Sequence, residues 1–180
     1  MALKPDQILM LCLTTGLIIQ LTFTWLVYSD RIVLTPGGVS VSSLTTFNQR
    51  FEFCCRWWTL IALWLVLNVY AVIGCRSVAK KGKFLVDPLA GTTNGIDLTN
   101  AILRNSMEQA LVYVLLQLSM LPKISPSIAI KLIPFVNVTW FVARVLFAIG
   151  YPRYRSVGNG MSITLLVPLT LYSIYLNAFE

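Results

Sequence analysis

The stretch ILRNSMEQAL sets Arg104, Asn105 and Glu108 within about one helical turn, and the chain then turns apolar in ALVYVLLQLSML. A membrane helix needs no carboxylate at its entrance, so these residue types raise a question of chemistry. Arg144, Tyr151, Arg155 and Ser156 follow in ARVLFAIGYPRYRS, and Arg76 closes an earlier apolar run. The arginine side chain is a planar fork of donors suited to bidentate binding of a carboxylate. Several such forks with one carboxylate would form a pocket for a small peptide-like anion.

Arg144 is the sharpest member of this set. It precedes Tyr151 on one helix, roughly 10 Å deeper at the helical rise, and positions 144, 148 and 151 share a face. A charge at that depth is costly unless paired and should face the bundle. Glu108 is the only acid inside or at the edge of the last three apolar runs before the terminal Glu180. It is the expected partner of Arg144, directly or through a ligand's carboxylate. Plainer readings stand beside this one. Arg153 and Arg155 also suit charged anchors at a membrane face, Tyr151 suits an aromatic belt, and Arg104 with Glu108 suits a surface i,i+4 pair.

The elements that must position these residues are membrane spans. Of 180 residues, 57% are hydrophobic and 12% charged, with a mean hydropathy of +0.75. A soluble domain of this size cannot hide so much apolar surface. The net charge of +7 lies between apolar runs. That fits membrane topology rather than a nucleic-acid interface. Histidine is absent, which excludes Ser/His and Cys/His dyads and the common His-metal sites, so no metal is expected. Cys12 and Cys75 read as packing residues and the vicinal Cys54 and Cys55 as boundary packing, without a disulfide.

Runs long enough to cross a bilayer are expected at 8–29, 57–75, about 102–121, about 128–150 and 162–179, the last starting as early as Arg155. The first is too long for a signal-peptide core and reads as an uncleaved span. Polar loops are expected at 30–55 and 79–100, with a tight turn or N-cap at SVGNG. Asn68 is expected to hydrogen-bond between helices. The sequon NVT, 137–139, falls inside the fourth run and should stay unmodified. Arg76, Lys80, Lys81 and Lys83 form the densest basic cluster, which places the 76–104 segment in the cytosol. The N-terminus is then cytosolic and the C-terminus lumenal or extracellular. Arg76, Arg104, Tyr151 and Arg155 all fall at the cytosolic end.

IGCRSVAKKGKF, RNSMEQ and ARVLFAIGYPRYRS resemble, in this order along the chain, motifs of the MAPEG superfamily of membrane proteins in eicosanoid and glutathione metabolism. The resemblance covers about residues 57–180. It implies an all-α integral membrane fold, a MAPEG-like four-helix bundle assembling as a homotrimer, with one extra N-terminal helix and its loop in residues 1–56. It casts Arg76, Arg104, Asn105, Glu108, Arg144 and Tyr151 as ligands of glutathione. Arg155 and Ser156 take the place of the pair that activates its thiolate, and Asp87 that of an acidic loop residue. The activity implied is a glutathione transferase or peroxidase acting on lipophilic substrates. Ala101, Phe147 and Asn159 depart from the pattern. The five spans, the short PRYRSVGNGMS turn and IKLIPF resemble the mattrin-like branch, which lacks an established catalytic role. The alternative function is therefore regulation of trafficking or turnover of other membrane proteins. Either reading places the chain in the endomembrane system or plasma membrane.

Overall fold

A computed structural model describes residues 5–32, 34, 39–78, 94–151 and 154–179. The described residues form five long helices: α1 Pro5–Tyr28, α2 Phe47–Val78, α3 Asn94–Met120, α4 Pro126–Gly150 and α5 Ser156–Phe179. A short 3-10 turn, Val41–Leu44, precedes α2, and no strand occurs among the described residues. The punctuation is local. Proline opens α1 and α4, where its missing N–H removes no helical bond. Asp30, at φ 57°, turns the chain out of α1, a conformation that aspartate tolerates better than most side chains.

Cross-contacts fix the order of the bundle. Arg50 meets Leu121, Cys54 meets Gln117, Trp64 meets Ser106, and Gly95 approaches Cys75. The helices α2 and α3 are therefore antiparallel neighbours in one continuous register. Gln117 with Asn137 and Asn105 with Arg144 set α4 antiparallel to α3. Ser119 with Ser173 and Tyr113 with Ser162 set α5 parallel to α3. The helix α1 lies along α5, with Gly16 against Val157 and Gly160 against Leu13. Helix α4 is the centre: 56% of its apolar window is buried, against 22–28% for the other apolar helices.

Among the described residues, four helices are long and apolar enough to cross a membrane, α1 from Met10, α2, α4 and α5. The outward faces are correspondingly apolar, with Met10, Ile18, Leu21 and Trp25 exposed on α1 and Leu63, Val66 and Tyr70 on α2. The chain is an all-α protein suited to a lipid bilayer. The expected third run does not reach that apolarity. It lies in α3, which begins at Asn94 and carries Asp97, Arg104, Asn105, Glu108, Gln109 and Gln117. Gln117 pairs with Cys54 of α2 and Asn137 of α4, Asn105 pairs with Arg144 of α4, and Arg104 pairs with Glu108 along the exposed face of the helix itself.

Other boundaries shift for physical reasons. The second helix begins at Phe47, ten residues before the expected span, because its first turns lie under the 3-10 turn. Arg50 stands there, 8% exposed, and donates to four backbone carbonyls: Leu44, Thr45, Leu121 and Pro122. It satisfies carbonyls beyond the last turn of α3, where a cation also suits the helix dipole. Arg50→Met should cost about 1.5–3 kcal/mol in detergent unfolding, the usual worth of hydrogen bonds to a charged group. Arg50→Lys should recover little, since an ammonium cannot span four carbonyls. SVGNG is no turn; it is the first part of α5, with Gly158 and Gly160 both buried. Asn68 donates within its own helix, Nδ2 to the Trp64 carbonyl at 2.7 Å, rather than across helices. Asn137 of the sequon is wholly buried and donates to Gln117 Oε1 at 2.8 Å and to the Ile133 carbonyl.

Candidate functional site

The most tightly built polar cluster lies where α4 ends and α5 begins. Helix α5 reaches α4 closely because residue 158 is glycine. A Cβ there would strike the Ala143 carbonyl and come within 2.5 Å of Phe147 N and 2.8 Å of Phe147 Cα. Small residues are what allow helix backbones to meet at such range in membranes. One turn further along α5, Ser162 donates to the Gly158 carbonyl at 2.9 Å. Its hydroxyl oxygen is left to accept from a neighbour.

That neighbour is Arg144. The guanidinium is wholly buried. Nη1 donates to Asn105 Oδ1 on α3 and Nη2 to Ser162 Oγ on α5, both at 2.6 Å. Tyr113 Oη donates to the Ser162 carbonyl at 2.7 Å, which braces the same turn of α5. The Arg144 Nε has no partner among the described residues. The charge is thus bound entirely by neutral oxygens. The three ion pairs among the described residues, Arg56–Glu52, Arg104–Glu108 and Lys131–Asp30, are all solvent-accessible and do not include Arg144.

A stacked column leads outward from this cation. The Arg144 Cζ lies 4.9 Å from the centre of the Phe147 ring. Phe147 meets Tyr151 edge to face at 5.5 Å. Arg155 Cζ lies 5.4 Å from the Tyr151 ring, and its Nη1 donates to Tyr151 Oη at 3.4 Å. Cations over aromatic faces are held by the ring quadrupole, more strongly where water is excluded. The order arginine, phenylalanine, tyrosine, arginine therefore joins a buried cation to an exposed one across the helix end.

The structure divides the expected site residues. It brings together Asn105 and Arg144 directly, and Tyr151 and Arg155 directly, with Phe147 between the two pairs. It does not bring Glu108 to Arg144. Glu108 Oε1 accepts from Arg104 Nε at 3.0 Å, with the two side chains 61% and 85% exposed. The reason is helical phase. Ile102, Ser106, Ala110 and Tyr113 mark the buried stripe of α3, and Arg104, Glu108 and Leu111 mark its opposite face. The i,i+4 reading of Arg104 and Glu108 is the one realised. Arg76 is half-buried in the last turn of α2, and Ser156 is half-buried at the first residue of α5. Asp87, Lys80, Lys81, Lys83 and Arg153 lie outside the described residues.

Ser162, Gly158 and Tyr113 are the members that sequence reasoning missed. Their signal was present. Gly158 and Ser162 form a small-x-x-x-small pair in SVGNGMS, which marks a close helix contact if the segment is helical. Reading it as a turn hid the pair. Among the described residues, no group of three cysteines and acids gathers as metal ligands. Comparison with protein-family models, curated proteins and solved structures gives no match. The fold and the cluster define an all-α protein of the bilayer with a buried arginine beneath one polar end.

Proposed function

We propose that this chain is a five-span membrane protein of MAPEG type, in which the Arg144–Arg155 end binds a small peptide-like anion of the glutathione class. The observation that carries the reading is the buried Arg144 charge, bound by neutral oxygens and with Nε unpartnered. A buried charge with no counter-ion is expensive, and an anion drawn to that end would reduce the cost. Arg155 and Tyr151 stand at the exposed end of the same column as the first groups such an anion meets. Arg76 adds positive potential at the same end of the bundle, whereas the charge of Arg104 is offset by Glu108. The Glu108 carboxylate faces away from Arg144, so it does not compete for that charge. On this reading Arg155 and Ser156 would hold a thiolate, since a nearby cation lowers a thiol pKa. A lipophilic electrophile would arrive from the bilayer, and the chain would work as a homotrimer.

Purified protein should be stabilised against heat by millimolar glutathione. It should also conjugate a generic electrophile. Arg155→Ala should lose both responses while the oligomer persists. No stabilisation of the wild type by millimolar glutathione would remove the ligand reading.

A second reading rests on the first helix. Gly16 and Gly160 let α1 pack closely on α5, and α1 still shows an exposed apolar face from Met10 to Trp25. That face suits a membrane-protein partner, and the function would then be regulation of that partner without catalysis. A stable partner that co-purifies, and is lost on deleting residues 1–50, would favour it. For either reading we expect a cytosolic N-terminus. A glycosylation site engineered beyond Glu180 should be modified and one within 85–97 should not. The reverse pattern would invert the orientation and place the arginine end away from cytosolic glutathione.

A further inference from the structure

A groove of about 850 Å³ opens between α1, α4 and α5, on the flank away from the α2–α3 hairpin. Its walls are apolar, with Leu17, Leu21, Leu132, Phe135 and Leu169 among them. The volume is that of a small-molecule site. The groove follows α1 from Leu17 to Tyr28, roughly 17 Å at the helical rise. So large a volume over that length is too broad for one extended acyl chain and suits a fused-ring body.

Two acceptors interrupt the apolar wall part-way along. Gln20 is 4% exposed, and its Oε1 has no partner among the described residues. The orientation of its amide is fixed by Thr24. The Thr24 hydroxyl donates to the Gln20 carbonyl at 2.8 Å, so its oxygen can only accept from Gln20 Nε2, at 3.5 Å. Turning the amide would set two acceptors face to face. The second acceptor comes from Pro168, which has no N–H to offer the Thr164 carbonyl one turn earlier. Gln20, Thr164 and Pro168 all line the groove. An apolar wall with an unmatched buried acceptor at Gln20 calls for a ligand that brings a donor.

Depth narrows the choice. Gln20 lies roughly 12 Å along the helix from Tyr28 at the groove's rim. A sterol carrying only its ring hydroxyl would keep that group at the membrane surface and leave Gln20 unmatched. We propose that the groove between α1, α4 and α5 binds a sterol hydroxylated on its side chain, with the side-chain hydroxyl donating to Gln20 Oε1. The ring hydroxyl then sits near Tyr28 at the rim, and the fused rings lie between Phe135 and the Pro168 turn. The site is separate from the arginine column and independent of whether glutathione binds there.

The test compares full-length protein in detergent with 22-hydroxycholesterol, 25-hydroxycholesterol and cholesterol, by competition against a photoreactive sterol. At least one of the two side-chain-hydroxylated sterols should compete about 5-fold or more better than cholesterol, the worth of one hydrogen bond. Gln20→Leu should abolish the difference. The variant removes an unmatched buried acceptor, so it should fold at least as well as the wild type, and its melting temperature checks this. Equal competition by all three sterols, no competition by any, or a preference that survives Gln20→Leu would each overturn the proposal. So would a change of oligomeric state in Gln20→Leu, which would assign the groove to a second copy of the chain.

Discussion

Gly158→Ala should unfold the α4–α5 contact and lower detergent stability by about 3 kcal/mol or more, at or beyond the upper end of ordinary overpacking. The added methyl would meet main-chain atoms of Ala143 and Phe147, and backbone cannot rotate aside as a side chain can. Helix α5 would have to retreat. Ser162 would go with it, and Arg144 Nη2 would lose its acceptor. The damage therefore reaches the buried cation as well as the packing. Gly74→Ala is the matched control. Nothing lies within 4 Å of a Cβ at Gly74, so that change should be neutral or slightly stabilising through helix propensity. Unfolding followed in one detergent for both variants checks the pair. Wild-type stability for Gly158→Ala would mean that α4 and α5 are not in close contact here.

Much of the fold was legible because apolar length is a strong signal. Four of the expected runs lie in helices that are long and apolar enough to span, and the alternation of their ends brings Arg144, Tyr151 and Arg155 toward one end of the bundle. The misread parts are those where tertiary pairing overrides composition. Residues 47–56 look like polar loop because of Asn48, Gln49, Arg50 and Glu52. They are helical because Arg50 finds carbonyls from two other segments and Phe53 and Cys54 find the core. SVGNG looks like a turn because of its two glycines. It is helical because those glycines relieve contacts with α4 and α1 rather than bend the chain.

The site was half legible for a similar reason. An arginine among apolar residues announces that it must be paired, and the sequence offered one nearby acid. Helical phase decides otherwise, since Asn105 and Glu108 differ by three residues and only the first faces Arg144. Sequence spacing named the right helix and the wrong side chain. The partner on α5 was harder to see, because a serine becomes an acceptor for Arg144 only when its own proton goes to Gly158. That division of roles depends on the helix starting at Ser156.

Asn105 is accordingly the residue whose loss should matter most among the polar ones. Asn105→Leu removes one of two acceptors from a wholly buried guanidinium whose Nε is already unmatched. Stranding a buried charge in this way typically costs about 3–5 kcal/mol. Arg144→Met should cost less. Ser162 keeps its bond to the Gly158 carbonyl, and only Asn105 Oδ1 is left without its partner at a half-buried position. The double variant Asn105→Leu/Arg144→Met should be more stable than Asn105→Leu alone, because it removes the charge along with its acceptor. Glu108→Gln should change stability by no more than a few tenths of a kcal/mol, as befits an exposed i,i+4 pair. Detergent unfolding of these four proteins separates two arrangements of the same residues. A large loss in Glu108→Gln with little in Asn105→Leu would restore the carboxylate as the partner of Arg144. The opposite order, Asn105→Leu worst and Glu108→Gln near wild type, requires a cation held by neutral groups alone. It leaves that cation without a counter-ion among the described residues.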